Sequence, residues 1–347
     1  MLVFTLCSNN YLAMACVLEE SVRRYCPDAR FIVGLVDRLN PEIDYSPLSR
    51  SEILPVESLK LDCLDDMIGR YSIVELNTAL KPYYFRYLFN REPDTQKIIY
   101  FDSDIQVFAP LDPIFKDLEQ CEVLLTPHLL TAWDLGLAHA PEQEAQFLKY
   151  GIYNMGFCGA KRGDQSRQML EWWCNRLREH CLWDTENGYF VDQLWMNLAP
   201  VLFDAVKVSK DPSLNVAHWN LHERTLSRNE QGDWRVNGEQ AMVFYHFSSY
   251  QPGTESGIGK HSRIFSLQNR PEMKPLFEQY GERLNHFHHN ELRKIECVFV
   301  TERARRKAAQ KRSHYRENPG SLFWAGVRKL LGRKGWQYLV RKMTTVP

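Results

Sequence analysis

The chain has 347 residues, 44% hydrophobic and 25% charged, which suits one large or two modest domains with a sizeable core and argues against overall disorder. Its 43 basic and 43 acidic side chains cancel, which excludes a generally basic nucleic-acid binder. The cancellation is uneven: residues 301–347 hold 13 Lys and Arg against Glu302 and Glu317, leaving 30 basic and 41 acidic groups in the 300 residues before them.

In chain order, Leu2 to Leu6 reads as a buried strand, Leu12 to Tyr25 as a helix and Arg30 to Val36 as a second strand ending at Asp37, a β-α-β opening. A short strand near Ile53 to Val56, a helix over Ile73 to Phe89 and a strand at 97–101 continue the alternation. That pattern predicts an α/β fold, Rossmann-like, with a mixed but mostly parallel sheet flanked by helices. Further on come a strand near Glu122 to Leu125, a helix at Glu142 to Lys149, a strand at Tyr153 to Ala160, helices at 165–180 and 190–199, and an apolar strand from Met242 to Tyr245. Residues 1–265 are expected to form one catalytic domain, and 266–347 a helical, basic C-terminal extension.

Ligands in such sheets sit beyond the carboxyl ends of the strands. Three candidate groups lie at such ends: the loop Ser8-Asn9-Asn10-Tyr11, Asp37, and Asp102-Ser103-Asp104. The first loop lacks the glycine signatures that cradle phosphates in dinucleotide-binding and P-loop proteins, and its polar and aromatic side chains suit a nucleoside, or locally a helix cap at Asn9 or Asn10. The Asp-x-Asp run directly after a buried strand has the oxygen donors that Mg²⁺ or Mn²⁺ shares with phosphates, although the same tripeptide often marks only a turn. Nine cysteines without a Cys-x-x-Cys pair point to a reducing compartment. The start lacks the flanks of a signal peptide, and no stretch reaches the roughly 18 apolar residues of a membrane span, so a cytoplasmic protein is expected, possible membrane contact aside.

With these residues stand Leu80-Lys81-Pro82-Tyr83-Tyr84-Phe85-Arg86, Tyr153-Asn154-Met155-Gly156-Phe157, Val191-Asp192-Gln193 and Phe244-Tyr245-His246-Phe247. In this order and spacing, over about residues 1–250, the chain resembles the nucleotide-sugar glycosyltransferases of the GT-A fold, family 8 and its bacterial relatives. The resemblance implies that Asp102, Asp104 and His246 hold a Mn²⁺ or Mg²⁺ that grips the donor diphosphate. It implies that Ser8, Asn10, Tyr11, Asp37, Lys81, Arg86 and Ser103 bind the donor, and that Asn154, Asp192 and Gln193 surround the anomeric carbon. The implied activity is retaining transfer of a hexose, from a UDP-sugar, to a glycan or a lipid-linked acceptor in surface polysaccharide synthesis.

The match is incomplete, because Pro252 stands where related enzymes carry a lysine, with Lys260 nearby, and Ser8 replaces an acidic residue. The stretch Asn215 to Arg224 looks familiar from bacterial sugar transferases but carries no assigned role, and among the tryptophans Trp219 is singled out for an acceptor platform. The apolar and basic segment Ser321 to Met343, following Arg303, Arg305, Arg306 and Lys307, has the pattern of a helix on an anionic membrane surface at residues 303–343; nucleic acid is not expected. The rival readings are a haloacid-dehalogenase-type phosphohydrolase, disfavoured because Gln106 stands where Thr or Val is expected, and a non-catalytic glycan- or membrane-binding protein.

Overall fold

A computed structural model describes residues 1–134, 140–252, 257–262, 264–317, 327 and 329–332. A compact unit runs from Met1 to Val298, and a second comprises Phe299–Pro347. In the first, β1 (Leu2–Cys7), α1 (Leu12–Tyr25), β2 (Arg30–Leu35) and β3 (Glu52–Pro55) form the parallel opening that the sequence predicts. All six side chains of β1 are buried, as befits a strand covered on both faces.

After α2 (Leu64–Arg70), the helix expected over 73–89 is two helices, α3 (Ile73–Ala79) and α4 (Lys81–Arg91). Ser72 and Glu75 cap α3 reciprocally, while Pro82, with no N–H to give the preceding turn, starts α4 afresh at Lys81. β4 (Lys97–Phe101), β5 (Ile105–Val107), α5 (Asp112–Gln120) and β6 (Val123–Leu125) follow. Next come α6 (Ala140–Tyr150), β7 (Phe157–Lys161) and α7 (Asp164–His180).

The helix expected at 190–199 is instead a small hairpin, β8 (Trp183–Asp184) and β9 (Tyr189–Phe190), a 3-10 turn at Leu194–Leu198 and the short α8 (Ala199–Leu202). Val191 between them has φ +40°, incompatible with a helix. With β10 (Val206–Val208), the seven-stranded sheet has the order β10-β6-β7-β4-β1-β2-β3. β7 alone runs antiparallel to its neighbours, so the sheet is mixed and mostly parallel. A three-stranded sheet follows, β11 (Leu226–Arg228), β12 (Trp234–Val236) and β13 (Gln240–Ala241), and then β14 (Phe244–His246), which pairs antiparallel with β5.

The compact unit continues past the boundary expected at 265, because α9 (Lys274–His286) and α10 (His289–Leu292) share its core. Tyr280 stacks on Phe247 with ring centres 3.7 Å apart and planes 6° from parallel. Arg283 makes a two-pronged bond to Glu20 of α1, at 2.7 and 2.9 Å. α11 (Val298–Glu317) opens the second unit. The amphipathic segment Ser321 to Met343 lies outside the described residues except for 327 and 329–332. Among the described residues no helix is long and apolar enough to cross a membrane, and all nine cysteines are buried free thiols.

Gly34 in β2 lies where a Cβ would sit 2.3 Å from Leu6 and 2.6 Å from the Tyr84 ring, whose hydroxyl donates to the Leu54 carbonyl. Gly34→Ala should therefore lower unfolding stability by about 1–3 kcal/mol in a urea titration; unchanged stability would mean that α4 sits less tightly on the sheet than this packing requires.

Candidate active site

Asp102 leaves β4 with its N–H bonded to the Gly156 carbonyl (2.7 Å), and a turn closed from Ile105 N to the Asp102 carbonyl (3.1 Å) brings Asp104 back toward the same point. Pairing of β5 with β14 places His246 opposite Ile105, and Phe247 N binds the Asp104 carbonyl at 2.8 Å. A residue 142 positions later thus joins the carboxylates by strand register. His246 Nε2 lies 3.1 Å from Asp104 Oδ1, and ligand atoms of Asp102, Asp104 and His246 all fall within 4.8 Å of one another. Gly156 permits this closeness: a Cβ there would meet His246 Cε1 at 2.4 Å and Asn154 Oδ1 at 2.8 Å.

Burial disfavours the charged imidazole of His246, but Asp104 and then Asp102 outweigh it and raise its pKa. Burial likewise works against the Asp104 carboxylate, and His246 reverses the balance and lowers it. Oxygen and imidazole donors converging in a buried site fit a divalent cation such as Mn²⁺, and His246 Nδ1 is buried without a hydrogen-bond partner.

Behind this cluster Lys81, 3% exposed, sets its ammonium 2.9 Å from Asp192 and 3.4 Å from Asp102 and donates to the Met155 carbonyl at 2.8 Å. It lies 4.9 Å from the centre of the Tyr100 ring, whose hydroxyl donates to Asp102. Burial alone would neutralise Lys81, yet the two carboxylates more than reverse this and hold its pKa above the ordinary lysine range. Burial pushes Asp192 up to about 6 against the pull of Lys81.

Asp192 follows Val191, a β-branched residue at positive φ, a conformation that persists only where its surroundings impose it. Gln193 is tied at both ends, Nε2 to the Tyr150 carbonyl (2.9 Å) and Oε1 from Met155 N (3.2 Å). Asn154 Oδ1 accepts from Gly156 N (3.0 Å) and from Asn215 (3.1 Å), while its amide nitrogen meets His128 Nε2 at 3.3 Å.

Lys81, Asp102, Asp104, Asn154, Asp192, Gln193 and His246 all line one cavity of about 440 Å³. The other candidates are placed differently. Arg86 is exposed and faces α7, where Cys174 and Glu171 act on it, because five residues carry a helix about 140° beyond a full turn, away from Lys81. Asp37 is fully buried and its oxygens accept the N–H groups of Asn9, Arg38 and Val298, so it braces the loops at the ends of β1 and β2. Ser8 is buried and donates to Asn10 at 2.7 Å, and neither Asn9 nor Asn10 caps α1. Tyr11 is 46% exposed, and its partly shielded phenol is raised further by Asp104; Ser103 is buried. None of these six is on the cavity wall. Sequence reasoning missed His128, Trp133 and His218, which do line it; no spacing links them to the carboxylates.

No family model matches the chain. It is 26% identical to YfnF of Bacillus subtilis (strain 168), over 81% of this chain and 91% of that protein, and 24% identical to YfnD of the same organism, over 80% and 86%; both are described as uncharacterised. Among solved structures, the galactosyltransferase LgtC in complex with donor and acceptor sugar analogues superimposes with a TM-score of 0.50 at 17% identity, covering 82% of this chain and 96% of LgtC. The fold is that of the GT-A glycosyltransferases. Within the GT-A frame, the carboxylate turn closes the central strand β4 and the histidine arrives from the late strand β14.

Removing the buried cation tests the charge balance. Lys81→Met should destabilise the protein by about 3–5 kcal/mol, because Asp192 and Asp102 are left without their partner, and adding Asp192→Leu should recover most of the loss. Wild-type stability in the single variant would contradict the bridge.

Proposed function

We propose that the protein is a metal-dependent, retaining glycosyltransferase that moves a hexose from a nucleotide-sugar, a UDP-sugar in our reading, to a glycan or lipid-linked acceptor in surface polysaccharide synthesis. The observation that carries this reading is the convergence of Asp102, Asp104 and His246 at one end of the cavity whose wall also holds Lys81, Asp192, Gln193 and Asn154. Mn²⁺ or Mg²⁺ held by the first three would supply positive charge to the leaving diphosphate.

The remaining groups position the donor. Lys81 bridges Asp102 and Asp192, Asp192 is offered to the sugar hydroxyls, and Gln193 presents a fixed amide dipole near the anomeric carbon. An amide clamped at both ends is a poor nucleophile, so we favour substitution on the front face. The bond from the anomeric carbon to the phosphate oxygen breaks, the acceptor oxygen attacks from the same side, and its proton passes to the departing phosphate. Residues 1–298 carry this chemistry. The basic stretch within 303–343 is assigned to an anionic membrane surface, on the inner face of the cytoplasmic membrane, where a lipid-linked acceptor is presented.

Against a phosphohydrolase speaks the place of the carboxylate pair, after β4 and not after the first strand, and against a non-catalytic glycan- or membrane-binding protein speak the retained Asp102, Asp104, His246 and Gln193. The test is thermal unfolding with UDP, GDP, dTDP and CMP, each with and without Mn²⁺. UDP with Mn²⁺ should stabilise the protein by about 2.7 kcal/mol at a hundred times the dissociation constant, and Asp104→Ala should abolish the effect. No shift with any nucleotide sinks the donor assignment.

The pH dependence has a definite sign. A divalent cation must displace the proton of His246, whose pKa is raised. Mn²⁺ affinity measured by calorimetry should therefore begin to fall at a pH above the ordinary imidazole range and keep falling as the pH drops through and below it.

A further inference from the structure

We infer that Arg293, at the end of α10, is a further donor-binding residue whose guanidinium is the counter-charge of the donor's diphosphate. This rests on the transferase reading above and deepens it. The charges of the cavity leave the role open. At pH 7, above the value of about 6 to which burial pushes Asp192, Asp102, Asp104 and Asp192 face one lysine, and Lys81 is already committed to two of them. No other lysine or arginine lines the cavity among the described residues. A divalent cation would bring the sum of these groups to zero, since His246 would bind it as a neutral imidazole. A nucleotide-sugar then arrives with a negative charge on each phosphate and no surplus cation to meet them. Charges taken out of water need paired partners, so the counter-charge has to come from outside the cavity wall.

The fold carries Arg293 to the loop after β1. The buried Asp37 clamps two segments together: one oxygen accepts Asn9 N at 3.3 Å, in that loop, and the other accepts Val298 N at 3.0 Å, shortly after Arg293. Cys297 donates its thiol to the Val36 carbonyl at 3.5 Å, just past β2. Leu292 and Ile295, on either side of Arg293, pack against the core that holds Cys7 and Leu12. α10 thereby lies against the turn Asn9–Tyr11 and against α1. Asp37, expected from the sequence to bind the donor, serves it here by fixing the segment that brings the arginine.

Arg293 itself is exposed at the C-cap of α10, and among the described residues its guanidinium has neither an ion pair nor a side-chain hydrogen bond. It is also close enough to the site to act on it. The half-exposed phenol of Tyr11 is raised by burial and then by Asp104, and Arg293 pulls it back down. The free guanidinium and the ion cluster thus act on the same side chain of the first loop. A guanidinium fork matches phosphate oxygens, can give two bonds at once and keeps its charge at any working pH, and its long stem lets it swing onto a bound diphosphate.

The experiment is calorimetric titration of the full chain with UDP, Mn²⁺ present throughout, at low and high salt, for wild type, Arg293→Ala, Arg293→Lys and Lys260→Ala. At low salt Arg293→Ala should weaken UDP about tenfold, the value of a hydrogen bond to a charged group, and the difference from wild type should shrink as salt screens the charge. Arg293→Lys, which keeps the charge and loses the fork, should recover part of the loss, and Lys260→Ala should bind UDP as wild type does. Because Arg293 is exposed, its variants should unfold at the wild-type temperature and bind Mn²⁺ alone no more weakly than wild type. The proposal is overturned if Arg293→Ala binds UDP like wild type, as a merely solvated helix end would, if the loss is the same at every salt concentration, or if Lys260→Ala alone weakens UDP. Wild-type protein that binds no UDP with Mn²⁺ would sink the donor reading itself, whereas wild-type binding that survives removal of Arg293 would sink this inference alone.

Discussion

The rest of the site depends on one buried ammonium. Lys81 is withdrawn from water and shared between Asp102 and Asp192, and a charge in that position is tolerable only when its partners are held in good geometry. Three pieces of chain must therefore meet at a single point: the start of α4, the end of β4 and the turn after β9. Each is shaped for it. Pro82 begins a new helix at Lys81, the Asp102 N–H is anchored on Gly156, and Val191 takes a positive φ to deliver Asp192.

A second constraint works from the far end of the chain. The antiparallel pairing of β5 with β14 fixes His246 beside Asp104 by register, and the parallel bridge from Val216 to Tyr245 lays the next segment alongside. Behind them Tyr245, Phe247, Phe277 and Tyr280 pack as one aromatic cluster. Helix α9 thus belongs to the support of the histidine, although the motifs of the resemblance end before it. Because these contacts join residues far apart in sequence, the ion cluster comes together only when the whole compact unit folds.

The readable parts of the site were those with a local signature. A buried strand ending in Asp-x-Asp, and a histidine closing a short apolar strand, each announce themselves within a few residues. Arg86 and Asp37 carried the right chemistry at plausible positions, yet helix rotation turned Arg86 toward α7, and three backbone N–H groups claimed Asp37. The aromatic side of the cavity was legible only in part. Trp133 and the adjacent pair His218 and Trp219 come from two segments far apart in the sequence with no common period, so only Trp219 stood out before the fold brought them to one cavity.

The sequence by itself determined the α/β alternation, the mostly parallel sheet and the two carboxylates at its centre, because burial on both faces writes continuous apolar runs and strand ends follow from them. Tertiary structure decided which polar groups share the cavity, where the compact unit ends and which carboxylates Lys81 joins. Those outcomes turn on strand register, helix rotation and long-range packing, which place side chains relative to one another and leave no trace in local spacing.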